Sequence, residues 1–434
     1  MKKNKIISFF SPFFNNPKFD VFCFWSLVGI CSFISIVPVS FLNVPKIFVY
    51  NSIVDLHEII IVFFGIMFAI FCIKDFLRNA IPQWVLFSGF FLMSLIVSSF
   101  VPETGLKEGL KSSMGLFFRG FLISYAVFSL CRVRKTLDQT IHFIRVIGVI
   151  VSVGALYEYF SGDFFIFERI VLEYSSSKEV WTPLDNVASG SIGFPIALSV
   201  FLIVIIPFYF EGMFKNKVLS WSAFFIVSIA IFLTFKRSGY ALWIVNFMFF
   251  LHQKDILKVH KKILIFLTGV VLLGSFYFIS HKDGQFARFS PSYILQEINS
   301  GHRAKAIFTG WRMFKKSSFL GIGTRQYSHE WREFSQKDDN INTPDNQYLR
   351  VFSENGMLGI ISVILMLGYL VKKTCPLKND PISNILFISI LNFLISLFII
   401  DGFYWPACFM IFMVVCGVSL AYSEMKKKEE PALV

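Results

Sequence analysis

The stretch AIFLTFKRSGYALWIVNF sets Lys236 and Arg237 side by side inside an otherwise apolar run. A cation at such a place is costly in lipid and is a functional candidate by default. A guanidinium offers a planar fork of donors that matches phosphate oxygens. Ser238 is placed to cap the helix that follows, which would set Arg237 beside free backbone N–H groups, a second anion-binding feature. Lys236 reads either as a supporting cation or as an interfacial lysine reaching for headgroups. Further along, Arg303 opens a basic helix that also carries Arg312, and Asp345 opens a second helix, followed by Asn346. Two separated Arg groups suit a diphosphate, and one carboxylate suits proton transfer. Together they form a kit for glycosyl transfer from a lipid diphosphate.

These groups must be held by membrane helices. The chain has 434 residues, 55% of them hydrophobic and only 16% charged, against roughly 25% charged in a soluble domain. Its apolar residues cluster into segments of the length that crosses a bilayer, about 20 residues. Strand-length alternation is missing, which disfavours a barrel. The fold class read here is an all-α polytopic membrane protein of about twelve spans, at 21–42, 57–73, 84–101, 115–131, 140–160, 187–210, 218–235, 239–252, 262–280, 352–371, 382–400 and 404–422. The first follows MKKNK; it is too long for a signal peptide and lacks a small-x-small cleavage site, so it reads as an uncleaved anchor. Short loops on the amino-terminal side hold 21 Lys and Arg against 7 on the other side. Both termini are therefore expected in the cytoplasm, with Lys236 and Arg237 outside. The net charge of +13 follows largely from this rule and needs no nucleic-acid partner. Seven Cys show no CxxC or Cys/His spacing, which argues against a disulfide framework and a zinc site.

The organisation expected is a nine-span region at 1–280, a long outer loop at 281–350, and three spans with a cytoplasmic tail at 351–434, all one integrated membrane domain. The span from Gly239 to His252 is short, about 21 Å at 1.5 Å per residue, so the Lys-Arg pair is expected below the membrane surface. In the loop, Ala304, Ile307, Phe308, Trp311 and Phe314 recur at helical spacing opposite Arg303, Lys305, Arg312, Lys315 and Lys316. That is a basic amphipathic helix lying on the outer surface, stopped by GIG at 321–323. A second helix starts near Pro344 and Asp345 and stops or kinks at Asn355-Gly356.

The order of these features resembles the O-antigen ligase and polymerase superfamily: a Thr-x-x-Arg tip (Thr234 to Arg237), then a long outer loop with Arg303 near a helix start, GIG, and DNQYLRVFSENGMLG in place of HN-x-x-L…E-x-G-x-x-G. The resemblance covers about 220–405. It implies a GT-C-like glycosyltransferase architecture in the bacterial inner membrane with its active site on the periplasmic side. The reaction implied is a metal-independent, cofactor-free, inverting transfer from an undecaprenyl-diphosphate-linked glycan donor to a glycan acceptor. It also implies that Arg237 and Arg303 hold the diphosphate and that Asp345 is the catalytic base, with Lys236, Arg312, Asn346, Glu354 and Asp401 as supporting residues. Other envelope assembly proteins, a chain-length regulator and a flippase, are the implied partners. Asp345 stands where His is usual in the ligases, and an Asp near pKa 3.9 is a weaker base than a His near 6.5; the departure favours polymerase over lipid A–core ligase. His302 and His329 are alternative bases. Glu354 and Asp401 match recurrent acidic positions, with helix capping or an ion pair as the plainer role. Two other classes compete: a lipid-linked glycan flippase or solute transporter, and a metal-dependent transferase using Asp55, Glu58, Asp338 and Asp339.

Overall fold

The computed structural model describes residues 47–49, 52–54, 82–102, 105–162, 188, 192, 194–210, 217–253, 301–335, 343–376 and 380–429. The expected spans 21–42, 57–73 and 262–280 lie outside the described residues, as do Asp55, Glu58, Asp338 and Asp339. Each remaining expected span coincides with a helix.

The first described element is a small antiparallel hairpin, β1 (Ile47–Val49) and β2 (Ser52–Val54), registered Ile47 to Val54. It is an exception to the all-helical expectation, in a loop too short to reveal strand periodicity. The helices follow as α1 (Gln83–Ser98), α2 (Leu106–Leu116), a π turn at Phe117–Phe121, α3 (Leu122–Cys131) and α4 (Arg134–Ser161). Next come α5 (Pro195–Ile205) with a 3-10 turn at Ile206–Tyr209, α6 (Lys217–Leu233) and α7 (Arg237–Gln253). Two helices of the expected outer loop, α8 (His302–Lys316) and α9 (Tyr327–Phe334), precede α10 (Gln347–Thr374), α11 (Pro381–Ser396), a 3-10 turn at Gly402–Tyr404 and α12 (Pro406–Glu429).

Among the described residues four helical segments are long and apolar enough to cross a membrane: Leu106–Cys131, Arg134–Ser161, Gln347–Thr374 and Pro406–Lys427. Shorter apolar helices complete the bundle at Gln83–Ser98, Pro195–Tyr209, Val218–Leu233 and Pro381–Ser396. The chain is thus a helical integral membrane protein.

Two helices form its core because they are apolar all round. α12 packs on α3, α11 and α5 and buries Phe409, Phe412, Val415, Cys416 and Val418. Every residue of α5 except Ile196 is buried. Ring pairs seat α12 on α11 and on the π turn: Phe393 stacks on Phe412 at 4.0 Å, and Phe121 meets Phe409 edge-on at 6.2 Å. At mid-bundle the amides of Asn246 and Asn392 pair reciprocally at 3.1 and 2.9 Å, and Asn392 also donates to the Ile203 carbonyl. This satisfies polar groups that lipid could not, and ties α7 and α11 to α5. Outward faces carry apolar stripes at helical spacing, such as Phe225, Ile229 and Phe232 on α6 and Met357, Ile361 and Ile364 on α10.

Several boundaries differ from expectation for physical reasons. The span expected at 187–210 begins its helix only at Pro195, which occupies the first helical position, where its missing N–H costs nothing. The second loop helix and the tenth span are one element, kinked where Gly356 adopts φ 61°, ψ −154°. α4 begins at Arg134, where the Arg134–Asp138 pair spans one turn at 3.3 Å. α9 was not expected; its eight residues are too few for a periodic signal.

Candidate active site

The polar centre of the molecule is built on the first turns of α10. Asn346 is the N-cap, its side chain accepting the Leu349 N–H at 3.0 Å. The expected start at Pro344 and Asp345 therefore moves by one residue, since Asn is among the strongest caps. From this cap, Gln347, Arg350 and Glu354 project at helical spacing, and all three are buried. The Gln347 side-chain carbonyl accepts the Phe403 N–H at 3.0 Å, and its backbone N–H donates to the Leu397 carbonyl at 2.8 Å. These bonds lock the 397–404 turn onto α10.

Arg350 is 2% exposed, and its Nη1 pairs with Asp401 Oδ2 at 2.7 Å. Its Nε lies 3.7 Å from Glu354 Oε1, an ionic neighbour beyond hydrogen-bond length. Glu354 is fully buried and accepts from the Arg325 N–H at 2.9 Å, the Tyr327 N–H at 3.2 Å and the Tyr404 hydroxyl at 3.1 Å. Tyr404 carries guanidinium groups from Arg350 and Arg325 at 4.5 and 4.6 Å from its ring centroid. Glu354 and Asp401 thus both pair with a buried arginine.

The GIG stretch is the other half of this interlock. Ile322 N–H donates to the Ser353 carbonyl and Gly323 N–H to the Glu354 carbonyl, while Met357 and Leu358 N–H groups donate back to Ser318 and Phe319. The two backbones lie so close that a Cβ on Gly321 (φ +74°) would strike the Glu354 carbonyl carbon. One on Gly356 (φ +61°) would lie 2.6 Å from Gly321 N and Phe319 O. Asn355 donates to Thr324 Oγ1 at 2.8 Å, and Thr324 to the Leu95 carbonyl at 2.7 Å, anchoring the loop on α1. The glycines, Glu354 and Asn355 are therefore joinery: they fix the loop that bears Thr324 to Tyr327.

Asp345 sits just ahead of the Asn346 cap at φ +44°, a left-handed conformation that Asp tolerates better than most residues. It is half-buried, and its Oδ1 accepts the Thr343 hydroxyl at 3.1 Å. Tyr327 links Glu354 to the basic helix. That phenol donates to the Ala306 carbonyl at 3.1 Å. Burial raises its pKa; the Arg350 charge opposes this, and the Glu354 and Asp345 carboxylates add to it. Tyr327 thus stands between the Glu354 carboxylate and the second turn of α8. Arg303 lies one turn before Ala306 on the exposed side of α8.

Arg237 is the first residue of α7 and half-buried. The tight turn before it is held by Thr234, which donates to Ile231 O at 2.7 Å and accepts the Lys236 N–H at 3.4 Å, with Phe235 at φ +48°. Ser238 lies inside the first turn of α7 and is not its cap, because the helix begins earlier than expected. α7 has 17 residues, about 26 Å at 1.5 Å per residue, still short of a core of roughly 30 Å. Gly239 packs against Ser199 of α5, and Phe194, just before α5, stacks on Trp405 at 5.1 Å. By this longer route the Lys236–Arg237 turn reaches the same end of the bundle as Tyr404.

The structure therefore brings together Asp345, Asn346, Glu354 and Asp401, and links them to the helix of Arg303 through Tyr327. Arg312 instead ties α8 to α9, its Nη1 donating to the Phe334 carbonyl at 2.8 Å. His329 pairs with Glu108 at 2.7 Å on the exposed side of α9; the side chain of His302 lies outside the described residues. Sequence reasoning missed Arg350, Arg325, Tyr327 and Tyr404. An Arg four residues before Glu354 on one helix was the available signal for Arg350; the other three announce themselves only through contacts from distant segments.

Residues 222–364, the segment that holds Arg237, Arg303, the GIG loop, Asp345 and Glu354, match the family model described as O-antigen ligase. The family implies glycosyltransferase-type chemistry on lipid-linked glycans, of the O-antigen ligase or polymerase kind. No curated protein matches the chain.

Proposed function

We propose that the chain transfers a glycan from undecaprenyl diphosphate to an acceptor glycan at the periplasmic face of the bacterial inner membrane, as a surface-polysaccharide polymerase. The acceptor hydroxyl attacks the anomeric carbon of the donor and gives its proton to the Asp345 carboxylate. The bond from that carbon to the diphosphate oxygen breaks with inversion, and Arg237 and Arg303 hold the departing diphosphate. Proton acceptance late in such a transition state depends more on placement than on base strength, which an aspartate can satisfy.

The observation that carries this reading is the setting of Asp345: a half-buried carboxylate at a left-handed turn, directly ahead of the Asn346 cap of α10. Glu354 and Asp401 serve the fold, and Asp345 is the carboxylate assigned to proton transfer. The excess of Lys and Arg in the alternate loops supports an outward-facing site and cytoplasmic termini. The reaction is proposed to need no metal and no cofactor.

The test is transfer by the purified chain in lipid nanodiscs, with Arg237→Ala, Arg303→Ala and Asp345→Ala. Each is expected to lose at least ~100-fold in rate, as removal of one preorganised group in an active site does; full activity in all three would sink the assignment. A deletion strain separates polymerase from ligase: single-repeat glycan on the lipid A–core supports the polymerase, whereas accumulated lipid-linked polymer would make the chain a ligase.

A further inference from the structure

Arg325 combines features that neither the scaffold nor the reaction proposed above uses. It adopts φ +71°, the left-handed region where a non-glycine residue is strained. Yet the loop is clamped on both sides of it. Thr324 is bonded to Leu95 and Asn355, the Arg325 N–H donates to Glu354 Oε2 at 2.9 Å, and the Tyr327 N–H donates to Glu354 Oε1. A glycine there would satisfy the same backbone bonds without strain, so the side chain is what the strained position keeps. The guanidinium is seated 4.6 Å above the centroid of Tyr404, a cation–π contact that fixes its direction.

The charge balance leaves this cation over. Arg350 shares the Tyr404 ring, but it takes Asp401 at 2.7 Å and Glu354 at 3.7 Å. The oxygens of Glu354 are further engaged by two backbone N–H groups and the Tyr404 hydroxyl. Arg325 forms no ion pair among the described residues and is half-buried. Its location is the candidate site: Tyr404 precedes Trp405, which stacks on Phe194 toward the Arg237 turn, and Tyr327, two residues on, donates to the Ala306 carbonyl of the helix that carries Arg303.

We propose that Arg325 is a further substrate-binding residue, holding an anionic oxygen of the lipid-linked glycan, with Tyr404 as its seat. The inference deepens the transferase reading and rests on it for the identity of the substrate. Two sources carry that chemistry, the diphosphate and an acidic group on the glycan.

The experiment uses the full chain in nanodiscs as wild type, Arg325→Gly and Arg325→Lys. Melting, binding of sugar-free undecaprenyl diphosphate, binding of the glycolipid donor from the native host, and transfer kinetics are measured on each. Arg325→Gly is expected to melt at or above wild type, because the strain is relieved, while affinity falls about tenfold or more, as loss of a charge-assisted hydrogen bond does. The loss should appear in KM more than in kcat, and Arg325→Lys should recover part of it. Weaker binding of the sugar-free lipid assigns Arg325 to the diphosphate; weaker binding of the glycolipid alone assigns it to an acidic sugar. Unchanged binding of both lipids overturns the proposal, as does a fall in melting that tracks the fall in binding and is not rescued by lysine. Should wild type bind the diphosphate lipid but never transfer, the transferase reading fails and the anion site stands.

Discussion

Glu354→Gln separates scaffold from chemistry at the residue where the two are most easily confused. The glutamate belongs to the E-N-G stretch that carries the family resemblance, and it sits within the candidate site. Its carboxylate accepts three hydrogen bonds, from Arg325 N–H, Tyr327 N–H and the Tyr404 hydroxyl, and lies 3.7 Å from Arg350 Nε. Glutamine fills the same space with one acceptor oxygen. Turned toward Arg325, it leaves the Tyr327 N–H facing an amide; turned toward Tyr327, it leaves the Arg325 N–H so. Either way one buried donor is orphaned, at about 1–3 kcal/mol. Arg350 also loses one of two negative neighbours. At 3.7 Å and an effective dielectric of about 20 that attraction is about 4–5 kcal/mol gross, partly offset by no longer burying the carboxylate. A net loss of about 3–5 kcal/mol follows, the usual cost of breaking a buried pair. The assay is unfolding in mixed detergent micelles, followed by tryptophan fluorescence, beside transfer at a temperature where the variant remains folded. Glu354→Gln should unfold far earlier than wild type yet keep measurable transfer when folded. A variant as stable as wild type with transfer abolished would refute the scaffold role and put Glu354 in the chemistry.

Gly321→Ala should destabilise by about 2–5 kcal/mol, from the left-handed φ and a Cβ driven against the Glu354 backbone; normal yield and melting of the purified variant would contradict the interlock. Asp345→His should keep transfer but move the acid limb of its pH profile upward, because the free side chain titrates near 6.5 rather than 3.9; an unmoved limb would mean Asp345 is not the base. Asn246→Leu should cost only about 1–2 kcal/mol and leave KM alone, checked by melting and kinetics together. Transfer in EDTA should equal transfer in added magnesium, and loss of activity in chelator would favour the metal-dependent alternative.

Much of the architecture was legible in residue order because its signals are local. Apolar runs located the helices, Asn355-Gly356 announced the kink, and the 302–316 periodicity announced α8. Boundaries slipped where a cap decides them, as at Asn346 and Pro195, since a helix end depends on which side chain reaches the first free N–H groups. The short α9 and the 47–54 hairpin lay below the length at which periodicity can be read.

The site divides the same way. Sequence by itself determined that the chain is a helical membrane protein, that cations gather at a few unusual places, and that Arg237, Arg303, GIG and Asp345 follow one another in a recognisable order. Hydropathy, charge and spacing are properties of single segments, so they survive without coordinates. Only the tertiary structure decided that Glu354 and Asp401 belong to Arg350, that the glycines are where two backbones meet, and that Arg325 holds a charge with no carboxylate opposite it among the described residues. Those facts depend on which distant segments exclude water together. A buried charge must find its partner there, and the partner is chosen by packing, not by position along the chain.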